Sequence, residues 1–303
     1  MRLAIIGLGE IAKKAYLPIL TVKEGVELFI STRNKTVLDE ISNKYNIDRA
    51  YNNIEDLIKE DIDAAIISTH ADGHYEIARK LIKKGVNVYI DKPLSFNIEE
   101  SKEIESLAKE HNVIAMVGFN RIFCPKVKEL KSKGKADIIV MQKNRAYPPG
   151  DTRRFIMEDF IHVVDTLRFL MDEEVKDIDI NYLKDGNDLH NVVVTLKSNN
   201  TTAVGIMNRT AGITEENIEY MVKGNKYIVE DLVDIIEVNN NGRTKTSFGG
   251  WDQTLYKRGF EDIINHFIES VKNKSIPNPS ISDSIKTHEI CENIVNYITC
   301  DNK

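Results

Sequence analysis

Leu3-Ala4-Ile5-Ile6-Gly7-Leu8-Gly9-Glu10-Ile11-Ala12 is the stretch that decides the fold. Four apolar residues of strand character run into a G-x-G-x-x-A turn, and an amphipathic helix follows. Gly7 permits the tight turn, Gly9 lets a pyrophosphate approach the backbone, and small Ala12 lets helix and strand pack closely. Glu10 and Ile11 open the helix, whose N-terminal N–H groups and positive dipole end suit phosphate. A glycine turn after a strand is by itself an ordinary connection. Its place directly behind the first strand of the chain points to a dinucleotide site.

A second stretch, Val86-Asn87-Val88-Tyr89-Ile90-Asp91-Lys92-Pro93-Leu94-Ser95, delivers a lysine to the end of another apolar strand. Pro93 biases Lys92 toward extended geometry. Ligands of open α/β sheets bind beyond the carboxyl ends of the strands, so Lys92 is placed to face a nicotinamide and not bulk water. Between and around these stretches, strands are expected at 2–6, 27–31, 64–68, 86–90 and 113–117. Val37, Leu38, Ile41 and Tyr45 mark one helix between them, and Ile77, Ala78, Leu81 and Ile82 another. Gly85 suits a helix C-cap, and Asn97 with Glu100 resembles a capping arrangement. Residues 1–119 therefore read as an N-terminal Rossmann domain, an α/β doubly wound parallel sheet.

Beyond residue 120 the pattern changes. A short helix near 126–133, a strand near 137–144 and a long helix holding Glu158 to Leu170 precede a series of β-like runs between 178 and 248. The runs are separated by Ser198-Asn199-Asn200, Gly224-Asn225 and Asn241-Gly242. Two helices close the chain, one striped by Phe260, Ile263, Ile264, Phe267, Ile268 and Val271, the other by Ile285, Ile294, Val295 and Ile298. Residues 120–303 read as an α+β domain with an open, mostly antiparallel sheet. Such a sheet has helices for one face only, so its other face calls for a partner and a homodimer or homotetramer is expected.

With 41 basic and 47 acidic side chains the net charge is −6, and no run of five like charges occurs. That pattern points to neither nucleic acid nor a membrane surface. Cys124, Cys291 and Cys300 are an odd set without metal-ligand spacing, which fits a reducing, cytoplasmic setting. Strand character begins at Arg2, leaving no stretch that reads as a signal peptide.

Glu158-Asp159-Phe160-Ile161-His162-Val163-Val164-Asp165 is the candidate acid–base cluster. On an α-helix Glu158, His162 and Asp165 share a face. A histidine is the default proton acceptor for an alcohol, and a carboxylate one turn away orients its ring. The competing structural reading is a buried helix with a satisfied histidine. Metal binding is a poorer reading, since no other histidine supplies a second ligand pair.

Taken in order, the glycine turn, Ser68-Thr69, Asp91-Lys92-Pro93, Gly118-Phe119-Asn120-Arg121 and the Glu158/His162/Asp165 helix resemble the glucose–fructose oxidoreductase/inositol dehydrogenase (Gfo/Idh/MocA) family. The helix is most similar to the subgroup labelled virulence-factor-like oxidoreductases. The resemblance implies a nicotinamide-dependent oxidoreductase acting on a hydroxyl or carbonyl of a small polar substrate, a sugar or polyol derivative. It implies Lys92, His162 and Glu158 as catalytic residues, and Arg121 and Asp165 beside them as substrate-binding residues. It extends the nucleotide site to Ser68, Thr69, His70, His74, Asp91, Lys92, Pro93 and Asn120. The chain departs from the family pattern where Asp91 replaces a glutamate, His70 a proline, Phe160 a glycine and Glu158 an aspartate. A non-enzymatic nucleotide-binding sensor and a reductase of a bulky non-sugar substrate such as a tetrapyrrole are the rival readings of the same fold. Arg145, Tyr147, Arg153 and Arg154 are candidates to grip a carboxylate or phosphate.

Twenty residues past Ala12 stands Thr32, within Ser31-Thr32-Arg33, and no carboxylate occurs between Glu27 and Asp39. An NAD-specific site usually places Asp or Glu there. The expected cofactor is NADP, with Arg33 on the 2′-phosphate and Ser31 and Thr32 donating to it, while use of NAD as well is the alternative.

Overall fold

The computed structural model describes residues 1–300, which form two compact units. The first consists of Met1–Gly118 together with Ile263–Ile285, and the second of Phe119–Asp262 with the helix residues from 286 to 300.

In the first unit six parallel strands, β1 (Arg2–Ile6), β2 (Glu27–Ser31), β3 (Ala50–Tyr51), β4 (Ala64–Ile67), β5 (Asn87–Ile90) and β6 (Ala115–Val117), lie in the order β3-β2-β1-β4-β5-β6. The order reverses direction between β1 and β4, the place where such sheets bind nucleotides. The expected strands are all present; two-residue β3 was too short to leave a periodic signal. Leu3, Ala4, Ile5, Phe29, Ile30 and Ala64 to Ile67 are fully buried, as expected of strands covered on both faces. Asn34 caps helix Lys35–Tyr45 by accepting from Val37 N, and Asn97 caps Ile98–Glu110 by accepting from Glu99 N. Glu100 does not close a capping box: its carboxylate takes the Ser95 hydroxyl instead.

The chain returns to this unit near its end. Helix Phe260–Asn273 buries Ile263, Ile264, Phe267 and Ile268, and the Phe267 ring packs 5.7 Å from Tyr89 of β5. Dividing the chain at residue 119 or 120 would leave this helix with the second unit, because sequence order carries no record of which sheet an amphipathic helix covers.

In the second unit the described residues form a mixed nine-stranded sheet: β7 (Ile138–Ala146), β8 (Gly150–Asp151), β9 (Asp177–Asp185), β10 (Asp188–Lys197), β11 (Thr202–Asn208), β12 (Thr210–Val222), β13 (Asn225–Glu230), β14 (Asp234–Asn239) and β15 (Gly242–Thr246). The pairing is antiparallel except between β11 and β7. One face carries the buried side chains Ile139, Met141, Ala203, Met207, Ile218 and Tyr220. Helix Ile161–Met171 packs on that face over Gly205, where a Cβ would stand 2.8 Å from Val163 Cγ1 and 3.1 Å from Leu167 Cδ1. The other face holds Val140, Val193, Val204 and Ile206, all half-exposed. Among the described residues no helix is long and apolar enough to cross a membrane.

Candidate active site

The register of the first sheet sets the nucleotide-site candidates in a row. Ile6 stands opposite Ser31 on one side and Ile67 on the other, and Ile67 stands opposite Ile90. The residues that follow are Gly7, Thr32-Arg33, Ser68-Thr69 and Asp91-Lys92-Pro93, all at the carboxyl edge. Gly7 adopts φ +92°, and a Cβ there would meet Thr69 N at 2.6 Å and Ser68 C at 2.7 Å. Only glycine meets both demands. At Gly9 nothing lies within 4 Å of an added Cβ, so the backbone face that a pyrophosphate needs is open. Residues 10–20 are helical, with the turn Ala12–Tyr16 wound as a π-helix. Ala12 is fully buried; Glu10 is exposed and paired with Lys14. Ile11, between them, is half-buried.

Hydrogen bonds fasten the edge. Gly7 N donates to Ser31 O at 2.9 Å, Ser68 Oγ to Gly7 O at 2.8 Å, and the Tyr16 hydroxyl to Asp91 Oδ1 at 3.0 Å. Burial and the nearby Asp91 charge raise the Tyr16 phenol well above its ordinary range, so it remains a donor. Buried His74 lies with Nδ1 2.7 Å from Pro93 O and Nε2 3.0 Å from Thr69 O. It joins the loop after β4 to the loop carrying Lys92. A neutral ring can donate to one of these carbonyls, a doubly protonated ring to both. The Lys92–Pro93 peptide is cis, Lys92 is half-buried, and His70 is exposed. At the end of β2, Ser31 is buried and Thr32 half-buried, while exposed Arg33 makes no ion pair with any described residue. These features suit a dinucleotide, with Gly7, Gly9 and the following helix toward the pyrophosphate and the end of β2 toward the adenosine ribose.

In the second unit His162 is buried near the start of helix Ile161–Met171. Arg121 Nη1 lies 3.1 Å from His162 Nδ1 and 3.0 Å from Nε2, over the ring. Nearly equidistant from both nitrogens, the guanidinium nitrogen faces the ring and not the in-plane lone pair that a neutral imidazole keeps for a proton. Arg121 is itself clamped by Glu216, with Nε 2.8 Å from Oε1 and Nη2 3.1 Å from Oε2. Burial alone would raise the Glu216 carboxyl. The charge and hydrogen bonds of Arg121, with Lys143 and Arg145, overcome burial and hold it at about 2. Asn120 completes the arrangement: it accepts from Arg121 Nη1 at 3.0 Å and donates to Arg258 O at 2.8 Å. Asn120, offered by the resemblance to the cofactor, thus ties Arg121 to the chain at Arg258.

The backbone that carries Glu158 is not the α-helix of the spacing argument. Residues Phe155–Phe160 form a π-helix, which needs more residues per turn than the α-helix assumed, so the i, i+4 relation between Glu158 and His162 is not an α-helical one. Glu158 pairs with Arg154 at 2.8 Å near the surface. Asp165 is buried and accepts from Thr287 Oγ1 at 3.2 Å. Asp159 is the carboxylate that faces Lys143, Arg145 and Arg209. Of the loop arginines, Arg153 is engaged by Glu292 at 2.6 and 2.8 Å.

Glu216, Lys143, Asp159 and Arg209 were not singled out from sequence, though a signal existed. Period-two alternation places Lys143 on the buried face after Ile139 and Met141, and Glu216 on it before Ile218 and Tyr220; the two are cross-strand partners. A charge at a core position of an alternating strand marks a site. Burial pushes the Cys124 thiol up to about 12, which disfavours its thiolate.

Residues 1–119 match an oxidoreductase family with an NAD-binding Rossmann fold, and residues 125–241 match a YceM-like C-terminal domain. A solved dehydrogenase, MviM, from Clostridium difficile is 34% identical, with 98% of this chain and 99% of that chain covered at a TM-score of 0.92. The chain belongs to the Gfo/Idh/MocA family of oxidoreductases. Also similar to it are YceM of Salmonella typhimurium, named as an oxidoreductase, 29% identical with 96% of each chain covered, and the myo-inositol 2-dehydrogenase of Thermotoga maritima, 24% identical with 93% and 92% covered. As a Gfo/Idh/MocA protein the chain is an enzyme of oxidoreduction on a nicotinamide-dinucleotide fold.

Proposed function

We propose that this Gfo/Idh/MocA enzyme is an NADP-dependent dehydrogenase or reductase of a hydroxyl or carbonyl on a sugar or polyol derivative. The observation that carries the reading is buried His162, its ring faced by an arginine that Glu216 holds in place. Such an imidazole takes the proton of a substrate hydroxyl in oxidation and returns it in reduction. Lys92 hydrogen-bonds the oxygen and stabilises its developing negative charge. Glu158 and Asp165 flank the histidine along the chain; Asp165 is fixed by Thr287, so its role is to hold the helix and the local charge. The nicotinamide, when bound, supplies or accepts the hydride. The inositol dehydrogenase among the relatives supports a polyol-like substrate.

The choice of NADP rests on the end of β2, where Ser31, Thr32 and exposed Arg33 stand without a carboxylate. Comparing dissociation constants tests it. NADP is expected to bind at least about tenfold tighter than NAD, about 1.4 kcal/mol, with Arg33→Ala erasing most of the margin. Tighter binding of NAD by the unmodified chain overturns the cofactor assignment. A second copy of the chain is the proposed partner, seated on the half-exposed sheet face of Val140, Val193, Val204 and Ile206 as a homodimer or homotetramer.

A further inference from the structure

Three adjacent strands change character at the same end of the second sheet. On the face that carries helix Ile161–Met171, β7 runs Ile139, Met141, Lys143, Arg145, and its neighbour β12 runs Tyr220, Ile218, Glu216. On the other side of β7, β11 runs Ala203, Gly205, Met207 and leads to Arg209. Each row is apolar and buried until the last positions, which are charged. Burial of charge demands partners, and most of these groups have one. Glu216 is taken by Arg121, Asp159 by Lys143, Glu158 by Arg154, and Glu292 by Arg153.

Arg145 and Arg209 are the two left over. Among the described residues the one carboxylate within ion-pair distance of either is Asp159, already held by Lys143, and each stands 3.7 Å from it, beyond hydrogen-bond distance. Their side chains are 16% and 18% exposed. Arg145 Nη1 has one long contact, 3.5 Å to Asn144 O. Arg209 Nε is buried and has no hydrogen-bond acceptor among the described residues. Its guanidinium rests 4.6 Å over the Phe155 ring and beside Gly150, where a Cβ would meet Nη1 at 2.7 Å. The guanidinium is thus positioned by packing, with one long ion pair to Asp159. Burial disfavours the charged form of both arginines, and outweighs the favourable charge of Glu216 near Arg145 and of Glu158 near Arg209.

We propose that Arg145 and Arg209 form an oxyanion subsite that binds a carboxylate or phosphate on the substrate, so that the enzyme acts on anionic sugars or polyols. The proposal rests on the dehydrogenase reading only for the reaction, not for binding. Two guanidinium forks match an oxyanion's several lone pairs, and Arg121 links this end of the sheet to His162 through Glu216.

Equilibrium binding on the full chain separates the two. Calorimetry compares gluconate, glucuronate and glucose 6-phosphate with neutral glucose, glucitol and myo-inositol, and cofactor-dependent absorbance is recorded separately with the same panel. At least one anionic compound is expected to bind at least about tenfold tighter than its neutral counterpart. Arg209→Gln and Arg145→Gln should each remove that margin, and Arg209→Lys should restore part of it. Gly150→Ala keeps every arginine and displaces only the flexible end of Arg209, so a matching loss in that variant ties the effect to position. The better arm, carboxylate or phosphate, identifies the group. Equal binding of anionic and neutral compounds, absence of binding by all anions, or a margin unaffected by the substitutions overturns the subsite. A panel that binds through the arginines but never changes cofactor absorbance upholds the subsite and counts against the dehydrogenase reading.

Discussion

Replacing Glu216 by glutamine removes one charge from the second unit and leaves the Arg121 guanidinium, 11% exposed, without its counter-ion. The size of the effect follows from the carboxyl itself. Its ordinary value is 4.5, and the folded protein holds it at about 2. At about 1.4 kcal/mol per pH unit this amounts to about 3–4 kcal/mol of stability. The folded value is depressed, so the contribution is complete above about pH 4.5 and is lost as pH falls toward 2. Breaking a buried pair by removing one partner costs about 3–5 kcal/mol, which agrees. Urea unfolding followed by circular dichroism should therefore show Glu216→Gln less stable by about 3–4 kcal/mol at neutral pH. The gap between variant and parent should close progressively below about pH 4.5, where the parent loses the same charge. Removing both partners, as Arg121→Met with Glu216→Met, should recover much of the loss, because no charge then remains uncompensated. A difference below about 1 kcal/mol at neutral pH, or one that stays constant between about pH 7 and pH 3, would refute the reasoning.

Lys92→Ala and His162→Ala should each keep cofactor affinity yet lose at least about a hundredfold in kcat on the true substrate; near-parental turnover by either removes that residue from the chemistry. Gly205→Val places methyl groups where Val163 and Leu167 already stand, so the helix bearing His162 must shift. A cost of about 1–3 kcal/mol is expected as a lowered Tm, and an unchanged Tm would mean the helix is free to move. Light scattering at micromolar concentration should report a dimer or tetramer, and a charged residue at Val204 should shift it toward monomer. A monomeric parent protein ends that proposal.

Much of this protein was legible from local pattern. The Gly7-x-Gly9-x-x-Ala12 turn, the buried strand runs and the helix stripes specify a parallel sheet, because side-chain periods of 2 and 3.6 and the demands of a tight turn act over a few residues. The register then carries Arg33, Ser68 and Lys92 to one edge as a consequence of strand order. The charged end of the second sheet was legible only in part. Alternation marks Lys143 and Glu216 as buried charges, but nothing local says that Arg121 pairs with a glutamate 95 residues away. Nor does sequence reveal that Phe155–Phe160 winds as a π-helix, which gives the cationic cluster to Asp159 and turns Glu158 toward Arg154. The return of helix Phe260–Asn273 to the first unit is of the same kind. An ion pair, a helix register and the sheet a helix covers depend on which surfaces meet when the chain closes. Only tertiary packing decides that.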